Sequence, residues 1–206
     1  MFRDRQDAAV QLAEALEKYA GRNPLVLAIP RGAVPMARTI AEKLGGEFDV
    51  VLVRKLRAPY QPEFAIGSID ESGWAYVAPH AIVMDIDAEY LAQEKSRQLE
   101  TIRSRRARYT PVRAPIDPAG RIVIVVDDGL ATGATMIAAL HGLKTRQPAE
   151  LVCAVPVAPA DSLEKIRALG VKTVCLEVPL YFQSVGQFYE NFPQVEDEEV
   201  IALLAG

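Results

Sequence analysis

Between Ile122 and Met136 the chain reads IVIVVDDGLATGATM, and this stretch leaves few folds open. Five β-branched apolar residues without polar alternation, Ile122 to Val126, describe a strand covered on both faces, as in a parallel sheet. Asp127 and Asp128 fall at its carboxyl end. Gly129, Ala131, Gly133 and Ala134 then leave the backbone almost bare, so successive N–H groups can turn toward an anion, and Thr132 and Thr135 add hydroxyls. From Met136 the apolar spacing becomes that of a helix, whose N-terminus favours negative charge. Together these make a phosphate cradle with two carboxylates beside it. No lysine follows the glycine, which excludes the GxxxxGK[ST] loop of nucleoside triphosphatases. Carboxylates next to a held phosphate suit a phosphorylated sugar, because they accept from vicinal hydroxyls and can share a divalent cation. The competing reading, an ordinary strand-to-helix turn rich in small residues, leaves the paired acids without a use.

A second unit of the same kind comes earlier. Leu25 to Ile29 is a short apolar strand that runs into Pro30-Arg31-Gly32-Ala33-Val34-Pro35, and Val34 to Leu44 continues as a helix stopped by Gly45-Gly46. Arg31 at this strand end is either a solvated turn residue or the counter-charge of an anion that approaches over Gly32. Phe48 to Val53 reads as a third strand, followed directly by Arg54-Lys55-Leu56-Arg57. Right-handed helical crossovers would make the three strands parallel and bring their carboxyl ends to one edge, which is where ligands of such sheets bind.

With those residues in hand, VIVVDDGLATGAT resembles the phosphoribosyl pyrophosphate (PRPP) signature of type I phosphoribosyltransferases over its whole length. The resemblance implies that Asp127 and Asp128 bind the ribose hydroxyls and a Mg²⁺ ion, directly or through water. It implies that Ala131, Thr132, Gly133, Ala134 and Thr135 hold the 5′-phosphate. It makes PRGA a pyrophosphate loop, with Arg31, Gly32, Ala33, Arg54 and Lys55 around the leaving group, and Asp127, Asp128, Arg31 and Lys55 as the catalytic set. Close relatives of that family often carry a second glycine at the position of Ala33, which leaves a tight or cis peptide open here. Gly129 stands where the family usually has a branched apolar residue, which reads as a loosened turn. The runs FRDR, LAIPRGAVP, VVLVRKL and PEFAIG also resemble a subgroup of predicted phosphoribosyltransferases, which implies no particular acceptor.

Residues 57–81, with prolines at 59, 62 and 79 and the aromatics Tyr60, Phe64, Trp74 and Tyr76, have no clear period and read as a lid. They occupy the place of the family's mobile loop, which often carries a basic residue. This chain has none between Arg57 and His80, so Arg54, Lys55 and Arg57 are left to carry the charge. Glu63 is the lid acid of interest, though a surface carboxylate is the plainer reading. Asp87 to Tyr109 is a helix capped by Asp87, and its load of Arg97, Arg103, Arg105, Arg106 and Arg108 beside Glu94 and Glu100 reads as a solvated face or a dimer contact. The alternating acids at Asp85, Asp87 and Glu89 lack the glycine and closing glutamate of a calcium loop. Strand and helix units follow at Leu151 to Val157, Asp161 to Leu169 and Lys172 to Val178. Val157-Ala158-Pro159 is a candidate wall for an acceptor. The tail aromatics Tyr181, Phe182, Phe188, Tyr189 and Phe192 either pack on the domain or stack a flat acceptor.

The expected fold is α/β: a single doubly wound, mainly parallel sheet of about five strands with helices on both faces and a small hood from the termini. One domain spans 1–206, with its core at 22–178, the lid at 57–81 and the hood at 179–206. A chain of 206 residues, half of them hydrophobic, can fill such a core. A net charge of −4 argues against a general nucleic-acid or membrane-surface binder. No apolar run approaches the ~18 residues of a membrane span, and the charged start MFRDRQDAAV does not read as a signal peptide, so the expected location is cytoplasmic. Cys153 and Cys175 read as buried free thiols. The expected activity is Mg²⁺-dependent transfer of the 5-phosphoribosyl group of PRPP to a small nitrogenous, nucleobase-like acceptor, in a homodimer. The alternatives are a non-catalytic sensor of PRPP or a nucleotide monophosphate, and a phosphorylase that uses inorganic phosphate.

Overall fold

The run Ile122–Val126 forms the central strand of the molecule. A computed structural model describes residues 1–206, the side chain of Glu63 excepted, so the expectation for that acid lies outside the described residues. In chain order the main sheet comprises β1 (Leu25–Ala28), β2 (Glu47–Val50), β6 (Ile122–Val126), β7 (Glu150–Val157) and β8 (Lys172–Glu177), in the spatial order β2-β1-β6-β7-β8 with every pairing parallel. Residues alternate between two cores. Val26, Ala28, Ile124 and Val126 face α1 (Arg5–Ala15) and α2 (Val34–Leu44), whereas Leu25, Leu27, Val123 and Val125 face α5 (Ala134–Lys144) and α6 (Ala160–Arg167). Both faces are covered, which is why β1 and β6 carry no polar residues until they end.

From β1 the chain moves outward to β2, and it later returns to lay β6 on the other side of β1. The strand order therefore reverses between β1 and β6, and the loops that leave these two strands face each other across the switch point, where ligands of open α/β sheets bind.

The stretch after β2 departs from expectation. The strand expected over 48–53 ends at Val50, and β3 (Val53–Ala58) opens a separate antiparallel sheet with β4 (Gln61–Asp70) and β5 (Ala75–Val77). Val53, Leu56 and Ala58 are buried while Arg54, Lys55 and Arg57 point away, so the three cations stand along a half-buried strand rather than in a loop. Residues 57–81 are likewise an ordered hairpin and not an irregular lid. Ile66, Ser68 and Ile69 are buried within it, and Gly67 lets β5 approach so closely that a Cβ there would lie 2.1 Å from the Tyr76 carbonyl oxygen. Trp74 stacks on His141 of α5 at 3.5 Å between ring centroids, while Tyr60 at the hairpin tip is 99% exposed.

The short α3 (Pro79–Val83) leads to α4 (Ala88–Tyr109), capped by Asp87 as expected. Its basic face is not simply solvated. Arg106 pairs with Glu71, Arg108 pairs with Asp197 and Glu198, and Glu94 is fully buried. The first helix starts at Arg5, because Asp4 caps it through the Asp7 N–H, and gives way after Ala15 to a tight turn at Glu17–Tyr19. An unforeseen helix, α7 (Asp197–Ala205), packs on α2 and α4. The two ends of the chain meet, with the Phe2 N–H donating to the Phe188 carbonyl and Phe2, Tyr189 and Phe192 stacked in series. The tail aromatics thus pack on the domain, except Tyr181, which is 87% exposed. No helix is long and apolar enough to cross a membrane.

Candidate active site

The loop after β6 begins with the acid pair. The Asp128 carboxylate points across the switch point to the loop after β1, where it lies over Gly32; a Cβ on that glycine would stand 2.2 Å from Asp128 Oδ2 and 2.9 Å from Arg5 Nε and Nη2. Gly32 is therefore required by the approach of Asp128, a closer constraint than the approach of a ligand. Arg5 donates to Asp128 Oδ2 from Nε at 2.9 Å, and Phe192 lies under the guanidinium at 3.8 Å. The Tyr189 hydroxyl donates to the Asp128 carbonyl at 2.7 Å. Arg5 is a site residue that the FRDR run contains without any local sign of its role.

Both carboxyls hold their protons more firmly than an ordinary aspartate. Burial raises Asp127 first and the neighbouring Asp128 charge raises it further, while Lys55 opposes. Burial also raises Asp128, and Arg5 opposes. Asp127 is thus the more reluctant of the two to ionise, and Lys55 is the cation placed to relieve it.

Gly129 does not loosen the turn. A Cβ there would lie 2.6 Å from Val185 Cγ1 and 3.1 Å from Val157 Cγ1, so the bare backbone lets the tail close over the end of β7. Beyond it, Ser162 of α6 donates to the Ala131 carbonyl at 2.5 Å and Leu130 donates its N–H to the Val157 carbonyl. These contacts fix the loop from behind. Ala131 and Thr132 remain exposed, Gly133 caps α5 in the left-handed conformation, and Thr135 sits one residue into the helix. Among the described residues the N–H groups of Ala131, Thr132 and Gly133 have no acceptor within the chain, which is the condition of an anion cradle at a helix N-terminus.

Beside the cradle lies a crevice of about 240 Å³ between the two sheets. Pro30 and Thr135 form one wall, and Arg54, Lys55, Arg57 and Arg105 supply the cations of the others. The guanidinium of Arg54 falls below its ordinary value because it is buried and because Arg105 and Arg57 stand near it. Buried Glu94 orders this wall: it accepts from the Arg57 N–H at 2.9 Å and from Gln98 at 2.8 Å, and Gln98 in turn accepts from Arg54 Nε at 3.1 Å.

The expected residues divide into two groups. Gly32 meets Asp128 on one side of the switch point, while Arg54, Lys55 and Thr135 share the crevice. The Pro30–Arg31 peptide is cis. Arg31 turns instead to the C-terminal segment and pairs with Glu196 at 3.0 Å, and Ala33 is wholly buried at the start of α2. Arg105, Ser162 and Glu196 are site residues that the sequence does not single out. Arg105 has a signal, the cationic end of a long helix, but nothing in the spacing says which arginine turns inward.

A family model described as "Phosphoribosyl transferase domain" matches residues 3–191. A Mycobacterium tuberculosis H37Rv protein named "Putative phosphoribosyl transferase" is 39% identical over 205 residues, 99% of this chain and 46% of its own length; the chain thus spans less than half the length of the curated relatives it matches. Among solved structures, TT1426 from Thermus thermophilus superposes with a TM-score of 0.83 at 45% identity, covering 99% of this chain and 97% of that one. A Neisseria gonorrhoeae protein crystallised with bound ppGpp shares the fold, with a TM-score of 0.52 at 14% identity over 99% and 97% of the two chains.

Proposed function

The chain belongs to the phosphoribosyl transferase family, and from that premise we propose that it transfers the 5-phosphoribosyl group of PRPP to a small nitrogenous acceptor, with pyrophosphate leaving. One observation carries the reading. The N–H groups of Ala131, Thr132 and Gly133, just beyond the acid pair, are free, and a crevice lined by Arg54, Lys55, Arg57 and Arg105 adjoins the same loop at Thr135. Two neighbouring anion sites suit PRPP, a sugar with a phosphate at one end and a diphosphate at the other.

In the reaction the lone pair of the acceptor nitrogen forms a bond to C1 while the C1–O pair departs with pyrophosphate, and the nitrogen releases its proton. The ring gains positive charge and the leaving group negative charge. Arg54, Lys55 and Arg57 therefore stabilise the transition state more than the ground state, and Asp127 and Asp128 hold the ribose hydroxyls and offset the charge on the ring. No convergence of three or more His, Cys, Asp or Glu side chains occurs among the described residues. Two carboxylates suit Mg²⁺ all the same, because that ion keeps several waters and shares substrate oxygens. Asp127 and Asp128 would hold it, and there it would help neutralise the diphosphate.

A second reading, a sensor of PRPP or of a nucleotide, is favoured by the hairpin β3–β5. It is an ordered sheet packed on α4 and α5, with no basic residue between Arg57 and His80, whereas turnover is usually served by a lid that closes. The Neisseria protein with bound ppGpp makes a nucleotide carrying two diphosphates a ligand to test.

Calorimetric titration with PRPP and Mg²⁺, alongside Asp128→Asn, tests the site. Wild type should bind at micromolar strength and the variant at least about tenfold more weakly, a loss of ~1.4 kcal/mol. No binding to folded wild type rejects the transferase and the PRPP sensor and leaves only the nucleotide sensor, which titration with nucleotides then tests. Binding without pyrophosphate release over a panel of purine and pyrimidine acceptors favours the sensor.

A further inference from the structure

Arg105 stands on α4, across the crevice from Pro30 and Thr135, with its side chain 20% exposed. Its described counter-ion is Asp197 at the start of α7, and the pair is loose: Arg105 Nε lies 3.5 Å from Asp197 Oδ1, beyond an N–H···O hydrogen bond. Asp197 does not depend on it, since the carboxylate accepts from the Tyr109 hydroxyl at 2.8 Å and pairs with Arg108 at 3.1 Å. Arg105 can therefore leave without stranding a charge. The neighbouring Arg31–Glu196 pair has the same character, because Glu196 is 56% exposed and can turn to water. Meanwhile Arg54, Lys55, Arg57 and Arg105 crowd one cavity, an arrangement that like-charge repulsion disfavours until an anion enters.

We propose that Arg105 is a further ligand-contacting residue of the site: it exchanges Asp197 for an oxygen of the diphosphate and supplies from α4 the cation that the hairpin beyond Arg57 lacks. The assignment rests on the reading of the site as one for PRPP. A guanidinium suits the task, as its planar fork meets two phosphate oxygens at once where an ammonium meets one.

The test is calorimetric titration of wild type, Arg105→Gln, Arg105→Lys, Asp197→Asn and a control at exposed Arg103, Arg103→Gln, with three probes: PRPP with Mg²⁺, inorganic pyrophosphate, and ribose 5-phosphate. Thermal midpoints verify folding. Arg105→Gln should weaken PRPP and pyrophosphate by roughly tenfold or more, with ribose 5-phosphate within about twofold and Arg105→Lys between Gln and wild type. Asp197→Asn, which removes the competing carboxylate but keeps an acceptor for Tyr109, should tighten pyrophosphate by a few fold. Equal pyrophosphate affinity in wild type and Arg105→Gln overturns the assignment and leaves the PRPP reading intact, as does an equal loss for ribose 5-phosphate. Wild type that binds none of the three probes overturns that reading and this assignment with it.

Discussion

Gly32→Ala adds one methyl group at the point where the two loops of the switch point touch. That methyl would stand 2.2 Å from Asp128 Oδ2 and 2.9 Å from Arg5 Nε. Ordinary contact between such atoms is above 3 Å, so the Asp128 carboxylate must retreat by about 1 Å. Arg5 and Asp128 are 12% and 17% exposed and share a 2.9 Å ion pair, and Arg5 is also pinned by Phe192 and by the Pro193 carbonyl. The pair cannot shift as a unit. Parting a mostly buried pair costs about 3–5 kcal/mol in full, and partial water access here brings the figure to about 2–3 kcal/mol. For a chain of this size that lowers Tm by roughly 4–12 °C. On the PRPP reading the same displacement would pull the acid away from the ribose, so PRPP affinity should fall at least about tenfold. Differential scanning calorimetry and titration read the two effects. In the double variant Gly32→Ala, Asp128→Ser the obstruction is gone, so its destabilisation should fall well short of the sum of the single effects. A Gly32→Ala protein that melts within a degree of wild type and binds PRPP unchanged would refute the view that Asp128, rather than a ligand, dictates this glycine.

Asp127→Asn should stabilise the ligand-free chain at neutral pH while abolishing PRPP binding. The folded carboxyl is raised above its ordinary value, so the folded state holds the proton more tightly than the unfolded one, and stability is lost as pH rises from the ordinary value of 3.8 through the raised one. Above that window the wild type carries the full cost of a buried charge, so the variant should gain about 1–2 kcal/mol there and nothing near pH 2; urea midpoints at both pH values check this. Gly142→Ala should destabilise, against the usual gain of about 0.5–1 kcal/mol for removing a glycine from a helix. A Cβ there would lie 2.3 Å from Asp70 Oδ2, and Asp70 also accepts from the Trp74 N–H and the Ser72 hydroxyl. A rise in the urea midpoint would show that Asp70 moves freely.

The central sheet and its switch point are legible because β1 and β6 leave unbroken apolar runs that end abruptly in polar residues. The second sheet is not. In VRKLRA the apolar positions are three and two residues apart, and three cations in four residues look like a solvated loop unless a helix covers the other side. Glu94 shows what that helix does. A glutamate among arginines reads as a surface charge, yet it is buried because it satisfies the Arg57 N–H and Gln98 at once, a long-range pairing with no local period. Arg5 and Glu196 are hidden for a related reason: they lie at opposite ends of the chain, and only the pairing of Phe2 with the tail brings them to the acids and cations they serve.

On the PRPP reading an acidic protein would bind a polyanion, an electrostatic difficulty, and the ends of the chain supply local counter-charges. Arg5 from the N-terminus partners Asp128, while Glu196 and Asp197 from the C-terminal segment partner Arg31 and Arg105. The first pair is tight, mostly buried and wrapped by Phe192; the other two are exposed or long. Such a gradient separates roles. On the PRPP reading, a tight pair would fix the position of an acid that meets hydroxyls, and loose pairs would keep cations neutralised until phosphate oxygens displace the carboxylates. The crevice cations Arg54, Lys55 and Arg57, by contrast, stand together, and on the PRPP reading the repulsion among them would be relieved by an entering diphosphate. Binding free energy at this end would then come partly from the empty site, which would favour ligands of higher negative charge. Among the readings above, that favours a ligand bearing a diphosphate over one bearing a single phosphate.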